Sequence, residues 1–228
     1  MDIPNAAENL AENVATAVKP RLRGWLHAGM FPIVVVASIV LVATAPTPTA
    51  RWSSTVFGIT SMLLFGTSAV YHRGTWSPRV TGVLRRLDHS NIFLIIAGTY
   101  TPLAAIMLPE RTRNVLLLTV WVGAVLGLLA RVLWLGAPRW VYTPIYVALG
   151  CVSLGFLPQF AAAPGGPAVV GLLLGCGVAY ISGAVVYALK RPNPSPQWFG
   201  FHEVFHALTI IGFSCTYVAV AIAAHASA

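Results

Sequence analysis

The residues of this chain that can do chemistry gather in a few short stretches. Ser68 and His72 stand one helical turn apart, Asp88 is followed by His89, and His202, Glu203 and His206 fall within a single turn. Residues four apart on a helix share a face, with Cβ atoms about 6 Å apart, so His202 and His206 can bind one ion. His72 offers a third imidazole. Three neutral imidazoles with one position left open are the ligand set of a catalytic zinc, in which water takes the fourth place. Asp88 is the carboxylate placed to hold and deprotonate such a water. Ser68, on the face of His72, can bond that water, the Asp88 carboxylate or a substrate carbonyl.

Each assignment has a competitor. His202-Glu203-Val204-Phe205-His206 also spells His-Glu-x-x-His, the zinc-peptidase pattern in which the glutamate is the base. Asp88 can instead pair with Arg85 or Arg86, and Ser68 can bond the carbonyl four residues back. His27, His89 and His225 read as side chains that snorkel to the head-group level rather than as ligands. Cys151, Cys176 and Cys215 form no Cys-x-x-Cys pair and read as apolar packing residues. Gly123-x-x-x-Gly127 and Gly171-x-x-x-Gly175 allow close helix approach.

The elements that must hold these residues follow from composition. Of 228 residues, 57% are apolar and 9% charged, against about 25% charged in a soluble domain. Apolar blocks run at 26–45, 52–72, 88–108, 114–135, 140–162, 167–189 and 202–224. About 20 residues cross a hydrocarbon core of about 30 Å, so each block is one crossing. The chain is therefore expected to be an all-α integral membrane protein, a bundle of seven transmembrane helices, multi-pass in the cell membrane. A short cytoplasmic segment, 1–25, precedes the seven-helix domain, 26–228. Asp2, Glu8 and Glu12 ahead of the first block argue against a cleaved leader. Pro32, Pro102 and Pro144 fall inside spans, where neighbouring helices re-satisfy the freed carbonyls.

Lys and Arg fix the expected orientation, because cytoplasmic loops carry the excess. They concentrate before the first block, between the second and third, between the fourth and fifth, and after the sixth. Arg51, Arg111 and Arg113 alone fall on the other side. The N-terminus is thus expected inside and the C-terminus outside. The net charge of +8 then reads as this topology signal and as an affinity for anionic head groups at the cytoplasmic face. No basic stretch interleaved with aromatics exists in a soluble module, so nucleic acid is excluded as a partner. In this topology His72, Asp88, His202 and His206 share one level, within a turn or two of the cytoplasmic face.

The same stretches resemble a known family. Phe65-Gly66-Thr67-Ser68-Ala69-Val70-Tyr71-His72, Leu87-Asp88-His89-Ser90-Asn91-Ile92, Ala97-Gly98-Thr99-Tyr100-Thr101-Pro102 and Gly200-Phe201-His202-Glu203-Val204-Phe205-His206 are similar to the motifs of the hemolysin III family. That family is the bacterial branch of the progestin and adipoQ receptor family. Residues 19–27 resemble its signature ahead of the first helix, although Leu26-His27 stands where the family usually carries Thr-His. The resemblance implies seven helices with the N-terminus inside and zinc on three histidines, here His72, His202 and His206. The family aspartate falls at Asp88 and its serine at Ser68. Kinship with ceramide-hydrolysing relatives and with alkaline ceramidases implies a lipid amide or ester as substrate. The family name implies a red-cell-lysing, pore-forming activity instead. Two functions are therefore expected to compete: a zinc-dependent membrane hydrolase, and a non-enzymatic pore-former or receptor in which the metal only ties helices together. An open ligand position beside a carboxylate favours the first, and no helix carries a polar stripe that would line a channel.

Overall fold

The computed structural model describes residues 20–134 and 139–226, with the side chains of 139 and 140 left aside. Lys19, Leu135 at the end of the fourth expected block, and most of segment 1–25 lie outside the described residues. The helices are α1 (Trp25–Thr44), α2 (Pro48–Arg73), α3 (Pro78–Met107), α4 (Glu110–Leu133), α5 (Arg139–Gly150), α6 (Leu157–Ala162), α7 (Gly166–Leu189) and α8 (Phe201–Ala226). A 3-10 segment, Cys151–Phe156, joins α5 to α6. Seven stretches are long and apolar enough to cross a membrane, the fifth of them Val141–Ala162. Among the described residues there is no strand beyond an isolated bridge between Ser195 and Phe199.

Capping explains where the helices start. Thr47 accepts a hydrogen bond from the Ala50 amide at 3.1 Å ahead of Pro48. Ser77 accepts from Val80 ahead of Pro78. In both cases a hydroxyl takes an orphan N–H, and a proline supplies the preset φ of the first turn. The second cap corrects an expectation. The third block begins at Pro78 and not at Asp88, because the arginines at 79, 85 and 86 decorate a helix rather than fill a loop. Asp88 therefore stands almost three turns inside α3.

The fifth crossing is broken for an identifiable reason. Pro158 has no N–H to continue the ladder, and the preceding turn tightens to 3-10. Tyr100 of α3 repairs the junction: its hydroxyl donates to the Gly150 carbonyl at 2.6 Å and accepts from the Ser153 amide at 2.8 Å.

Outside, the bundle is apolar, with Ile33, Val36, Leu118, Leu126 and Val178 all exposed. Only a hydrocarbon solvent tolerates such a surface, so the protein is embedded among membrane lipids. Helix association in lipid rests on close packing and polar contacts rather than on exclusion of water. α1, α2, α3 and α4 pack in sequence, α7 packs along α8, and α8 closes the bundle against α1 and α3. Phe213 of α8 meets Phe57 and Phe65 of α2 at 5.7 and 5.0 Å between ring centroids. Asn91 reaches from α3 to the Leu63 carbonyl at 2.9 Å and to Thr67 at 3.0 Å on α2. Gly127 leaves room for the Phe93 ring, and Gly123 for Leu149, so that glycine pair does serve close approach. Gly171 faces open space and Gly175 makes only ordinary contact.

Candidate metal centre

His72 closes α2, and His202 and His206 lie in the first two turns of α8. These ends of the helices face the same level of the bundle. The ligand nitrogens of the three histidines lie within 4.8 Å of one another, and His72 Nε2 stands 3.1 Å from His202 Nε2. Two nitrogens on a tetrahedral zinc, each about 2.05 Å from the ion, stand about 3.3 Å apart. The three imidazoles therefore have the spacing that a small cation needs, and they are close enough together to hold a metal ion. His72 and His206 are buried and His202 nearly so.

Asp88 enters from α3. Its Oδ2 lies 3.7 Å from His72 Nε2, and neither Arg85 nor Arg86 forms an ion pair with it. Ser68, one turn before His72, settles its own alternative. Thr60, Ser61 and Thr101 all donate to carbonyls four residues back, as hydroxyls in membrane helices commonly do. Ser68 does not. Its Oγ is buried beside the Asp88 carboxylate but makes no hydrogen bond of good geometry. A buried hydroxyl turned to a carboxylate rather than to its own helix, close to three imidazoles, suits a site that takes an ion and a polar ligand.

Glu203 has another occupation. Its Oε2 accepts the Gly200 amide at 2.8 Å, which is the reciprocal half of a capping box at the start of α8. Its Oε1 is bound by the Arg23 side chain. Both oxygens are engaged, so the His-Glu-x-x-His spelling here marks a helix start tied to the chain ahead of α1. That tie continues in the backbone: the amides of Arg21 and Leu22 donate to the carbonyls of Gln197 and Trp198 at 2.9 and 3.2 Å. Arg21 lies over the Trp198 ring at 4.7 Å, and Arg73 over Trp25 at 4.0 Å. Gly24 makes the crossing possible. Its φ is +81°, and a Cβ there would stand 2.6 Å from the His72 Cβ.

Sequence reasoning misplaced His27. The expected snorkelling side chain is buried, 3% exposed, and stacks face to face on His206 with centroids 3.9 Å apart and an interplanar angle of 8°. Phe65 meets it edge-on at 4.8 Å. A lone histidine carries no spacing signal, and this contact joins the first helix to the last. His89 also has a buried neighbour, Arg131. His225 is exposed at the opposite end and bonds the Ala221 carbonyl. The cysteines are free.

Residues 15–217 match the model of the family described as haemolysin-III related. The hemolysin-3 homolog of Bacillus subtilis (strain 168) is 29% identical over 150 residues, covering 65% of this chain and 70% of the relative. Hemolysin-3 of Bacillus cereus is 29% identical over 179 residues, covering 76% and 80%. The chain belongs to the haemolysin-III related family, and it is a multi-pass membrane protein.

Proposed function

We propose that this protein is a zinc-dependent hydrolase of a lipid amide or ester, with His72, His202 and His206 as ligands, Asp88 as general base and Ser68 as an orienting group. The observation that carries this reading is the company the imidazoles keep: a buried carboxylate 3.7 Å from His72 and, beside that carboxylate, the buried Ser68 hydroxyl. A structural zinc is closed by four protein ligands, whereas a catalytic one keeps a position open. Bound there, zinc supplies Lewis acidity, which polarises a carbonyl and acidifies water. Asp88 takes the proton of the water that attacks the carbonyl carbon and returns it to the leaving amine or alkoxide. Ser68 donates to Asp88 or to the substrate oxygen and fixes the direction of approach. Glu203, held by Gly200 and Arg23, leaves the base role to Asp88. A shallow apolar groove across α1, α2 and α3, lined by Phe31, Met62, Gly66, Thr67 and Leu87 among others, suits an acyl chain. The basic end of the bundle, with the site, faces the cytoplasm and its anionic head groups in this reading.

A second reading is favoured by the sparse contact between α2 and α8. They meet mainly through Phe213 on Phe57 and Phe65 and through the histidines themselves, so an ion would also clip these helices. A lytic or receptor protein with a structural metal would use the site that way, and the relatives are named hemolysin-3. Turnover of a short-chain ceramide and of comparable lipid amides and esters, measured in nanodiscs with zinc content determined for each variant, separates the two. Asp88→Asn is expected to keep the metal and lose about a hundredfold or more in rate, as for removal of a general base. Undiminished turnover removes Asp88 from the mechanism, and an inactive parent leaves only the clip. Orientation is tested separately. A reporter fused after Ala228 should read as external and one inserted at 74–77 as cytoplasmic, and the reverse pattern overturns the placement.

A further inference from the structure

Arg131 is a cation that the metal centre does not use. It lies in the last turn of α4 with 7% of its surface exposed, and an ionisable side chain so buried in a membrane span requires a partner. Its Nη2 donates to His89 Nδ1 at 2.6 Å. Because a guanidinium has no acceptor, this contact fixes His89 as the neutral tautomer protonated on Nε2. The Tyr142 ring lies against the guanidinium, 4.5 Å from its central carbon. The Nε and Nη1 of Arg131 are buried and have no acceptor. Arg86, one turn before His89 on the same face of α3, has a buried Nε in the same condition.

Among the described residues no carboxylate answers these donors. Asp88, Glu110 and Glu203 are the acids among the described residues, and their ion-pair partners are His72, Arg113 and Arg23. The adjoining segment, 135–140, contains no acid. A guanidinium paired only with neutral groups keeps the cost of its desolvation uncompensated. Its remaining donors have the fork geometry that matches two oxygens of a phosphate or carboxylate, and the Tyr142 ring holds the plane of that fork. Tyr146 steadies the α3 side by donating to the His89 carbonyl at 3.1 Å.

We infer that Arg131, with Arg86 and the Tyr142 ring, forms an oxyanion site between α3, α4 and α5 that takes a phosphate group, carried by a lipid head group or free. The site uses none of the metal centre's residues and does not depend on that centre being hydrolytic. Thermal unfolding of the full chain in neutral detergent tests it, with three additions compared at matched ionic strength: a short-chain phosphatidylglycerol, inorganic phosphate, and an uncharged diacylglycerol. Phosphatidylglycerol is expected to raise Tm by on the order of 5 °C, and the diacylglycerol to leave it unchanged. An equal rise with inorganic phosphate identifies the free anion as the ligand, and a rise with phosphatidylglycerol alone identifies the head group. No rise with either overturns the inference. Arg131→Met removes the charge at similar length. It is expected to match or exceed the parent's Tm in neutral detergent and to lose the response to phosphatidylglycerol. A full response retained in Arg131→Met overturns the inference. Should that variant not fold, Arg131→Lys keeps the charge without the fork and is expected to bind about tenfold more weakly or worse; unchanged affinity in it is equally fatal.

Discussion

The two ends of the bundle solve different problems with the same residue types. At the end away from the histidines, polar contacts are local. Thr47 caps its own helix, Arg51 donates to the Ala45 carbonyl six residues back at 3.1 Å, and Glu110 meets Arg113 within one turn. Ala45, Ala50 and Ala224 fill the interior there. At the histidine end, polar contacts cross the chain. His202 reaches His72 across 130 residues, and Arg23 reaches Glu203 across 180. Local contacts finish helices, and they would form in any bundle of this length. Long-range polar contacts in lipid hold specific side chains in one place, and a site needs that. The contrast sets apart the end of the bundle on which the proposed function rests.

The largest effect that would break this contrast is on metal content. His72→Ala and His206→Ala are expected to lower bound zinc from about one per chain to near zero by elemental analysis of detergent-purified protein. His225→Ala, at the opposite end, should leave it unchanged. Full retention in His72→Ala would dissolve the three-helix centre. Gly24→Ala comes next, because it forces a positive φ on a residue with a Cβ and drives that Cβ against His72. Metal affinity is expected to fall about tenfold or more in a titration against a competing chelator. Glu203→Gln keeps the cap but loses the charge facing Arg23, which is only partly buried. A loss of about 1–3 kcal/mol in stability with metal still bound would sharpen the view that Glu203 supports α8 rather than the chemistry. Thr47→Ala gives the smallest effect, about 1 kcal/mol from a lost cap, with zinc content untouched. A change in metal binding from that variant would show that the two ends are coupled.

Much of the fold was legible because lipid imposes a length on each apolar block, and the seven spans follow from it. The start of α3 was not, since Arg79, Arg85 and Arg86 look like a loop until Ser77 and Pro78 are recognised as a cap. The histidine triad was legible through the spacing of His202 and His206 and the shared level of His72. His27 on His206 was not, nor was Arg131 on His89. Such pairs join positions whose separation has no period, so only the packed bundle brings them together. Glu203 teaches the converse. Its motif was visible, but the meaning of the motif depended on Arg23, far away in sequence.

The tie between Arg23 and Glu203 also sets a timetable for biogenesis. Translation at about 5–20 residues per second separates the emergence of the two by about 9–36 s, and that of His72 from His202 by about 6–26 s, given separations of 180 and 130 residues. During that interval the early helices sit in the bilayer with a buried aspartate, a lone ligand histidine and an arginine awaiting its partner. The histidine cluster is therefore among the last parts of the protein to form, and a nascent chain released before α8 inserts carries one of its three histidines. Only a chain made to its final helix brings the three histidines together.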